Sequence, residues 1–237
     1  MCSVTFWPNA RGYRLAMNRD ESLARVTGLP PARFVVGGRT IVHPGEPMGG
    51  TWICLNDRGV TFALINWYAI TARASAPTVS RGEVLLTLRD STEPEEAAAR
   101  LRLLPLTQLN PFRMIGFFPG QQAVREWRWD VATLAEVPHH WSPGQWLSSG
   151  YDEPTAQHIR GATFETLRME ADAGSLPWLR RLHSSHGPER GPFSTCMHRA
   201  DAATVSYTEI EIERDTRIMR HGTGSPCCGK GLVEAVV

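Results

Sequence analysis

The sequence predicts an α+β protein in which two mostly antiparallel sheets are covered by helices. Two observations carry this reading. Apolar–polar alternation of strand length fills the first 70 residues and returns after residue 200, with helix-period segments between. The strands that turns of a few residues join are also too many for one open sheet of ordinary width. Two packed sheets with helices on the outside is the layered solution to that surplus. The 237 residues, 42% apolar and 21% charged, are enough to bury a sizeable core. No Pro/Ser-rich linker divides them, so residues 1–237 are read as a single domain ending in an irregular Gly-rich stretch over 220–237.

Taken in order, Val4 and Phe6 alternate with Ser3, Thr5 and Trp7, and Tyr13, Leu15 and Met17 alternate with Arg14, Ala16 and Asn18. A short β-prone run, Arg39 to His43, stops at Pro44-Gly45. Trp52 to Leu55 enters the turn Asn56-Asp57-Arg58-Gly59, and Val60 to Ile65 returns as the second half of a hairpin. Residues 81–104 are predicted helical. Thr92 and Glu95 there fit a capping box, Pro94 falls in the tolerated first turn, and Ala97, Ala98, Leu101 and Leu104 share a face. Strands follow at 114–118, 123–127 and 146–149. A helix is expected over 154–172, with Ile159, Thr163, Leu167 and Ala171 at four-residue spacing, and a shorter one over 176–186. The alternating run 204–212 turns near Asp215 and returns through Ile218-Met219.

Composition excludes several function classes. A net charge of +1 and the lack of a basic stripe with interleaved aromatics argue against nucleic acid. No apolar run reaches the length of a membrane span. The start, Met1-Cys2-Ser3-Val4-Thr5-Phe6-Trp7-Pro8, lacks the basic and apolar regions of a signal peptide. Five cysteines without regular spacing fit a reducing compartment better than a disulfide framework, so the cytoplasm is expected. The sequence leaves the oligomeric state open.

The residue with most chemical content is Cys2. If Met1 is removed, one residue carries both a thiol and an α-amine. The amine, with a reference pKa of about 7.7–8.0, can act as base for a thiol of about 8.5. Asn18-Arg19-Asp20-Glu21 ends the second strand; period-two geometry puts Asn18 and Asp20 on one side and Arg19 on the other. Gly49-Gly50-Thr51-Trp52 opens the hairpin and permits a tight backbone path or a close approach to a ligand. Asn66 ends the returning strand, where an amide can donate to an oxyanion.

Other patterns carry less. Gly224 to Gly231 approaches a phosphate-binding loop but lacks its final Ser/Thr and a following helix. Cys227 and Cys228 are adjacent, and His139-His140 and His183…His186 lack a full ligand set at metal spacing, so no metal and no cofactor are expected. A haem or soft-metal role for these residues finds no positive support in the spacing. Trp127, Trp129, Trp141 and Trp146 read first as packing and second as an apolar ligand cleft.

Cys2, Asn18-Arg19-Asp20-Glu21, Gly49-Gly50-Thr51-Trp52, Asn66 and Ser80-Arg81-Gly82, in this order, closely resemble the NRDE family, also called the transport and Golgi organisation 2 family. The resemblance is strongest over residues 1–90. It continues through Leu147-Ser148-Ser149-Gly150 and Cys196-Met197-His198-Arg199 to Thr204-Val205-Ser206. It implies the N-terminal nucleophile hydrolase fold, a four-layer αββα sandwich, akin to bile-salt hydrolases and penicillin V acylases. By that resemblance Cys2 is the nucleophile, Asp20 orients it and its amine, and Asn66 is an oxyanion donor. Those enzymes carry an arginine where Met17 stands here, leaving Arg19 as the nearby guanidinium, and Ser149 stands in place of their second asparagine. Arg199 is a candidate for their late arginine. The expected machinery is thus Cys2, Arg19, Asp20 and Asn66, with Asn18, Trp52, Ser149 and Arg199 toward substrate. The implied function is hydrolysis of a linear amide of a small molecule. The alternative is a non-catalytic carrier of an apolar ligand such as haem or lipid.

Overall fold

The computed structural model describes residues 2–75, 77–229 and 231–237. In chain order the elements are β1 (Cys2–Asn9), β2 (Gly12–Ser22), β3 (Leu29–Val36), β4 (Arg39–Gly45), β5 (Ile53–Asn56), β6 (Thr61–Asn66), α1 (Arg81–Leu88), α2 (Pro94–Arg102), β7 (Phe112–Phe118), β8 (Ala123–Trp129), β9 (Leu134–His139), β10 (Gly144–Ser148), α3 (Glu153–Leu167), α4 (Leu176–Ser184), β11 (Ala202–Glu213), β12 (Thr216–Thr223) and β13 (Val233–Val236). They form a six-stranded sheet ordered β10-β1-β2-β11-β12-β13 and a seven-stranded sheet ordered β3 through β9. The chain divides into two compact units: residues up to 30 with 142–234, and 31–141 with the last three residues. No helix among the described residues is long and apolar enough to cross a membrane.

In the first unit β1 lies between β10 and β2, all antiparallel, with Cys2 opposite Ser148 on one side and Arg19 on the other. α3 and α4 supply Phe164, Trp178, Leu179 and Leu182 to a core that includes Ala16 and Tyr207. The buried face of α3 is not the expected one. Ala156, Arg160 and Phe164 point inward, whereas Ile159, Thr163 and Leu167 are half-buried and Ala171 lies beyond the helix end. A reading that keeps arginine in solvent rotates this helix by one residue, because it does not foresee a buried guanidinium.

In the second unit, α1 and α2 pack Val84, Leu85, Leu88, Ala97, Ala98 and Leu101 against Phe62, Leu64, Phe112, Met114, Trp127 and Trp129 of the sheet. The tryptophans at 127 and 129 are therefore core. Residues 81–104 form two helices rather than one. Asn56 explains the break: its side-chain amide binds the carbonyls of Arg89 and Ser91, taking that backbone out of the helical ladder. The cap of α2 also differs. Glu93 is the N-cap, and Glu96, not Glu95, reaches back to the Thr92 N–H at 3.0 Å. Gly50, at φ +88°, packs directly on Gly82, where an added Cβ would stand 3.0 Å from backbone atoms, and Thr51 N–H donates to the Gly82 carbonyl. The two glycine motifs of the sequence thus meet each other, backbone on backbone.

Three strands escape the sequence reading. β3 and β9 contain prolines and lie at the two edges of the seven-stranded sheet, where a missing N–H is tolerated. β13 gives the expected irregular tail a short edge strand, and a 3-10 turn, Pro226–Cys228, precedes it.

Candidate active site

Asn18 to Glu21 does not end β2; the strand runs on to Ser22 with the tetrapeptide inside it. Alternation still sorts the side chains. Asn18 and Asp20 face partners from the helix side, and Arg19 bonds Glu21 two residues on, at 3.2 Å. Arg19 is also the cross-strand partner of Cys2, and directly opposed residues of an antiparallel pair share a face. Arg19 therefore lies on the face of Cys2 and away from the Asp20 carboxylate.

Cys2 is buried, and its backbone nitrogen donates to the Ser148 hydroxyl at 3.1 Å. Burial pushes the thiol up from its ordinary value, and the Asp20 charge adds to this. The Arg19 charge and the Asp20 backbone N–H against the sulfur oppose it. Sequence reasoning passed over Ser148 in favour of Ser149. The latter is also buried, and its hydroxyl accepts from the Tyr151 N–H at 3.3 Å. Strand register sets them apart, because Ser148 is the residue paired with Cys2.

Asp20 is held from both sides. Its Oδ1 accepts from Thr204 Oγ1 at 2.6 Å and its Oδ2 from Arg160 Nη1 at 3.2 Å, with Asp20 and Arg160 side chains fully buried. The same Arg160 nitrogen donates to Ser3 Oγ at 2.9 Å. Thr204 reaches Asp20 through a bulge: the β2–β11 register shifts between Thr204 and Ser206, so Thr204 opposes Asp20 and Ser206 opposes Arg19. The Met197 N–H donates to the Thr204 hydroxyl and fixes it. Arg160 was missed by the sequence reading. Its signal is an arginine four residues from both Ala156 and Phe164 on one helix face.

Two of the residues expected toward substrate hold protein partners. Asn18 is sealed in, with its amide donating to the His183 and Thr195 carbonyls at 2.8 and 2.9 Å; it shares the helix-side face of Asp20 and ties β2 to the segments there. Arg199 forms a two-pronged pair with Asp201, and its guanidinium sits 4.8 Å over the Tyr151 ring. Arg19 and Thr204 line a cleft of about 280 Å³ together with Glu21, Arg25 and Gly224. His183, beside Thr5, is pushed down to about 3 by burial and by the Arg160 charge, which leaves it neutral at ordinary pH.

In the second unit, Asn66 ends β6 half-buried, and its amide donates to Tyr68 Oη at 2.8 Å. Trp52 is buried just ahead of β5, and its carbonyl accepts from the Leu64 N–H.

A model of the transport and Golgi organisation 2 family matches residues 1–124. The chain belongs to that family. No curated protein matches the sequence. Among solved structures, a cysteine-to-alanine mutant of conjugated bile acid hydrolase from Clostridium perfringens is similar at 11% identity and a TM-score of 0.56, over 94% of this chain and 89% of that one. Penicillin V acylase from Agrobacterium tumefaciens is similar at 11% identity and a TM-score of 0.51, over 94% of this chain and 83% of that one. These likenesses establish the fold as N-terminal nucleophile hydrolase-like, as the motifs imply.

Proposed function

We propose that this family member is a cysteine amidohydrolase that cleaves a linear amide of a small molecule, with Cys2 as the N-terminal nucleophile once Met1 is removed. The observation that carries the reading is the setting of Cys2. Its nitrogen is held by Ser148, its thiol lies against the Asp20 backbone, and Arg19 stands directly across the strand pair. A thiol raised by burial needs a base, and the α-amine freed by removal of Met1 is the base within reach.

In the reaction the amine accepts the thiol proton as sulfur bonds to the amide carbon. The family resemblance gives the Asn66 amide the role of oxyanion donor, and one of its N–H groups is spent on Tyr68. Collapse breaks the carbon–nitrogen bond, and the ammonium returns its proton to the leaving amine. The amine then deprotonates water, which attacks the thioester and releases the acid and the thiol. Asp20 is a positioning residue, holding the backbone behind the thiol through its bonds to Arg160 and Thr204. Arg19 offers a cation on the nucleophile's face, for substrate or for the intermediate.

The experiment is amide hydrolysis by wild type and Cys2→Ala over a panel of N-acyl compounds, with conjugated bile acids and penicillin V among them because the similar structures are named for them. Turnover by wild type with a loss of at least about 1,000-fold in Cys2→Ala is expected, in line with removal of a covalent nucleophile. Equal turnover by both proteins, or stoichiometric binding of haem or a lipid by both without turnover, overturns the proposal; the second result is that of a carrier.

A further inference from the structure

Four metal-ligating side chains that the proposed hydrolysis does not use converge from three separated segments. His186 follows α4, Cys196 and His198 lie on the segment that bridges back to Ala203, and Cys227 sits in the 3-10 turn at 226–228. His186 Nε2 and His198 Nε2 are 3.2 Å apart. Cys196 Sγ and Cys227 Sγ each lie 3.5 Å from His198 Nε2. All four atoms fall within 4.8 Å of one another.

Hydrogen bonding does not account for this. His198 Nε2 has three neighbours at close range, yet a ring nitrogen offers one N–H or one lone pair, enough for a single bond. A central ion accounts for all three contacts at once. Zinc bonds of about 2.0–2.1 Å to nitrogen and about 2.3 Å to sulfur, set tetrahedrally, require edges of roughly 3.3 Å between nitrogens and roughly 3.6 Å between nitrogen and sulfur. The observed edges of 3.2 and 3.5 Å match both.

We propose that His186, Cys196, His198 and Cys227 form a closed two-cysteine, two-histidine site for zinc or a similar divalent ion. Loading releases one proton from each thiol to solvent and leaves two thiolates, two neutral imidazoles and a dication, so the site carries no net charge. Four protein ligands leave no open position, which makes the role structural. The ion clasps the turn at 226–228 to the segment 196–198. That segment abuts Thr204, whose hydroxyl takes the Met197 N–H and holds Asp20. One neighbour opposes loading. Exposed Arg190 places Nη2 3.3 Å from His198 Nδ1, and a guanidinium only donates, whereas metal at Nε2 keeps a proton on Nδ1. Arg190 must swing into solvent when the ion binds.

The test is titration of the reduced, chelator-stripped full-length protein with Co²⁺, followed by competition with Zn²⁺. One cobalt per chain is expected, with the intense d–d absorption of tetrahedral geometry and a thiolate-to-cobalt charge-transfer band, both erased by zinc. His186→Ala and Cys227→Ser should weaken binding by more than about 100-fold, beyond what loss of an outer-shell partner costs. Cys228→Ser, the exposed thiol next door, should bind as wild type. Arg190→Gln, which replaces a donor with a possible acceptor, should tighten binding by about 10-fold. Absence of the tetrahedral spectrum in wild type, or equal losses in Cys227→Ser and Cys228→Ser, overturns the proposal. So does a Cys196–Cys227 disulfide in protein whose thiols are blocked at lysis.

Discussion

At the scale of single residues, the placement of Cys2 is legible from sequence and its neighbours are only partly so. Alternation correctly separates Arg19 from Asp20, but it takes the strand register to show that Arg19 thereby joins Cys2. Arg160 lies 140 positions from Asp20, and its place between Ala156 and Phe164 on one helix face marks it as buried without naming its partner. The pair lends itself to a direct test. Arg160→Met leaves the Asp20 carboxylate uncompensated in a fully buried place, and the expected loss is about 3–5 kcal/mol. Urea denaturation measures it, and Asp20→Asn added to Arg160→Met should recover part of the loss. A loss below about 1 kcal/mol in the single variant would show that the pair is not a structural anchor.

At the scale of elements, the sequence fails where a partner elsewhere in the chain overrides the local pattern. Asn18 and Asp20 inside β2 run against strand propensity, yet His183 and Thr195 satisfy the amide, and Arg160 and Thr204 the carboxylate, from outside the strand. The bulge at Val205 is invisible in the alternating run 204–212 because it is a matter of register with β2. Proline hides β3 and β9, since the rule against proline in strands lapses at a sheet edge. The metal-ligand cluster is hidden for a related reason. Ligand spacing rules work on one or two local segments, and here three contribute.

At the scale of the whole molecule, the antiparallel character and the two-sheet division are legible because hairpins dominate and the strands outnumber one sheet. The buried titratable groups then set how the molecule responds to acid. Burial and the Arg160 charge push His183 from its ordinary 6.5 to about 3, and burial and the Arg19 charge push His221 to about 4. Above pH 6.5 both are neutral folded or unfolded. As pH falls through 6.5 the unfolded chain takes up protons the native state refuses, so stability drops until about pH 4 for His221 and about pH 3 for His183. Each should cost up to about 2 kcal/mol by pH of about 5. Glu126 extends the decline. Burial would raise its carboxyl, but hydrogen bonds from His139, Arg128 and Arg113 outweigh that and hold it well below the carboxylate range. Its contribution is present above about pH 4.5 and is lost as pH falls toward its folded value. Urea midpoints at pH of about 7.5 and about 5 check the histidine part, and a flat profile would contradict it.

The central claim is that Cys2 works as an N-terminal residue, and intact mass spectrometry of the protein purified from its own cells tests it most directly. The self-activating mechanism predicts a mass lacking Met1, with Cys2 at the amino terminus and its α-amine free. A mass that retains Met1, or an amine blocked by acetylation, would contradict it.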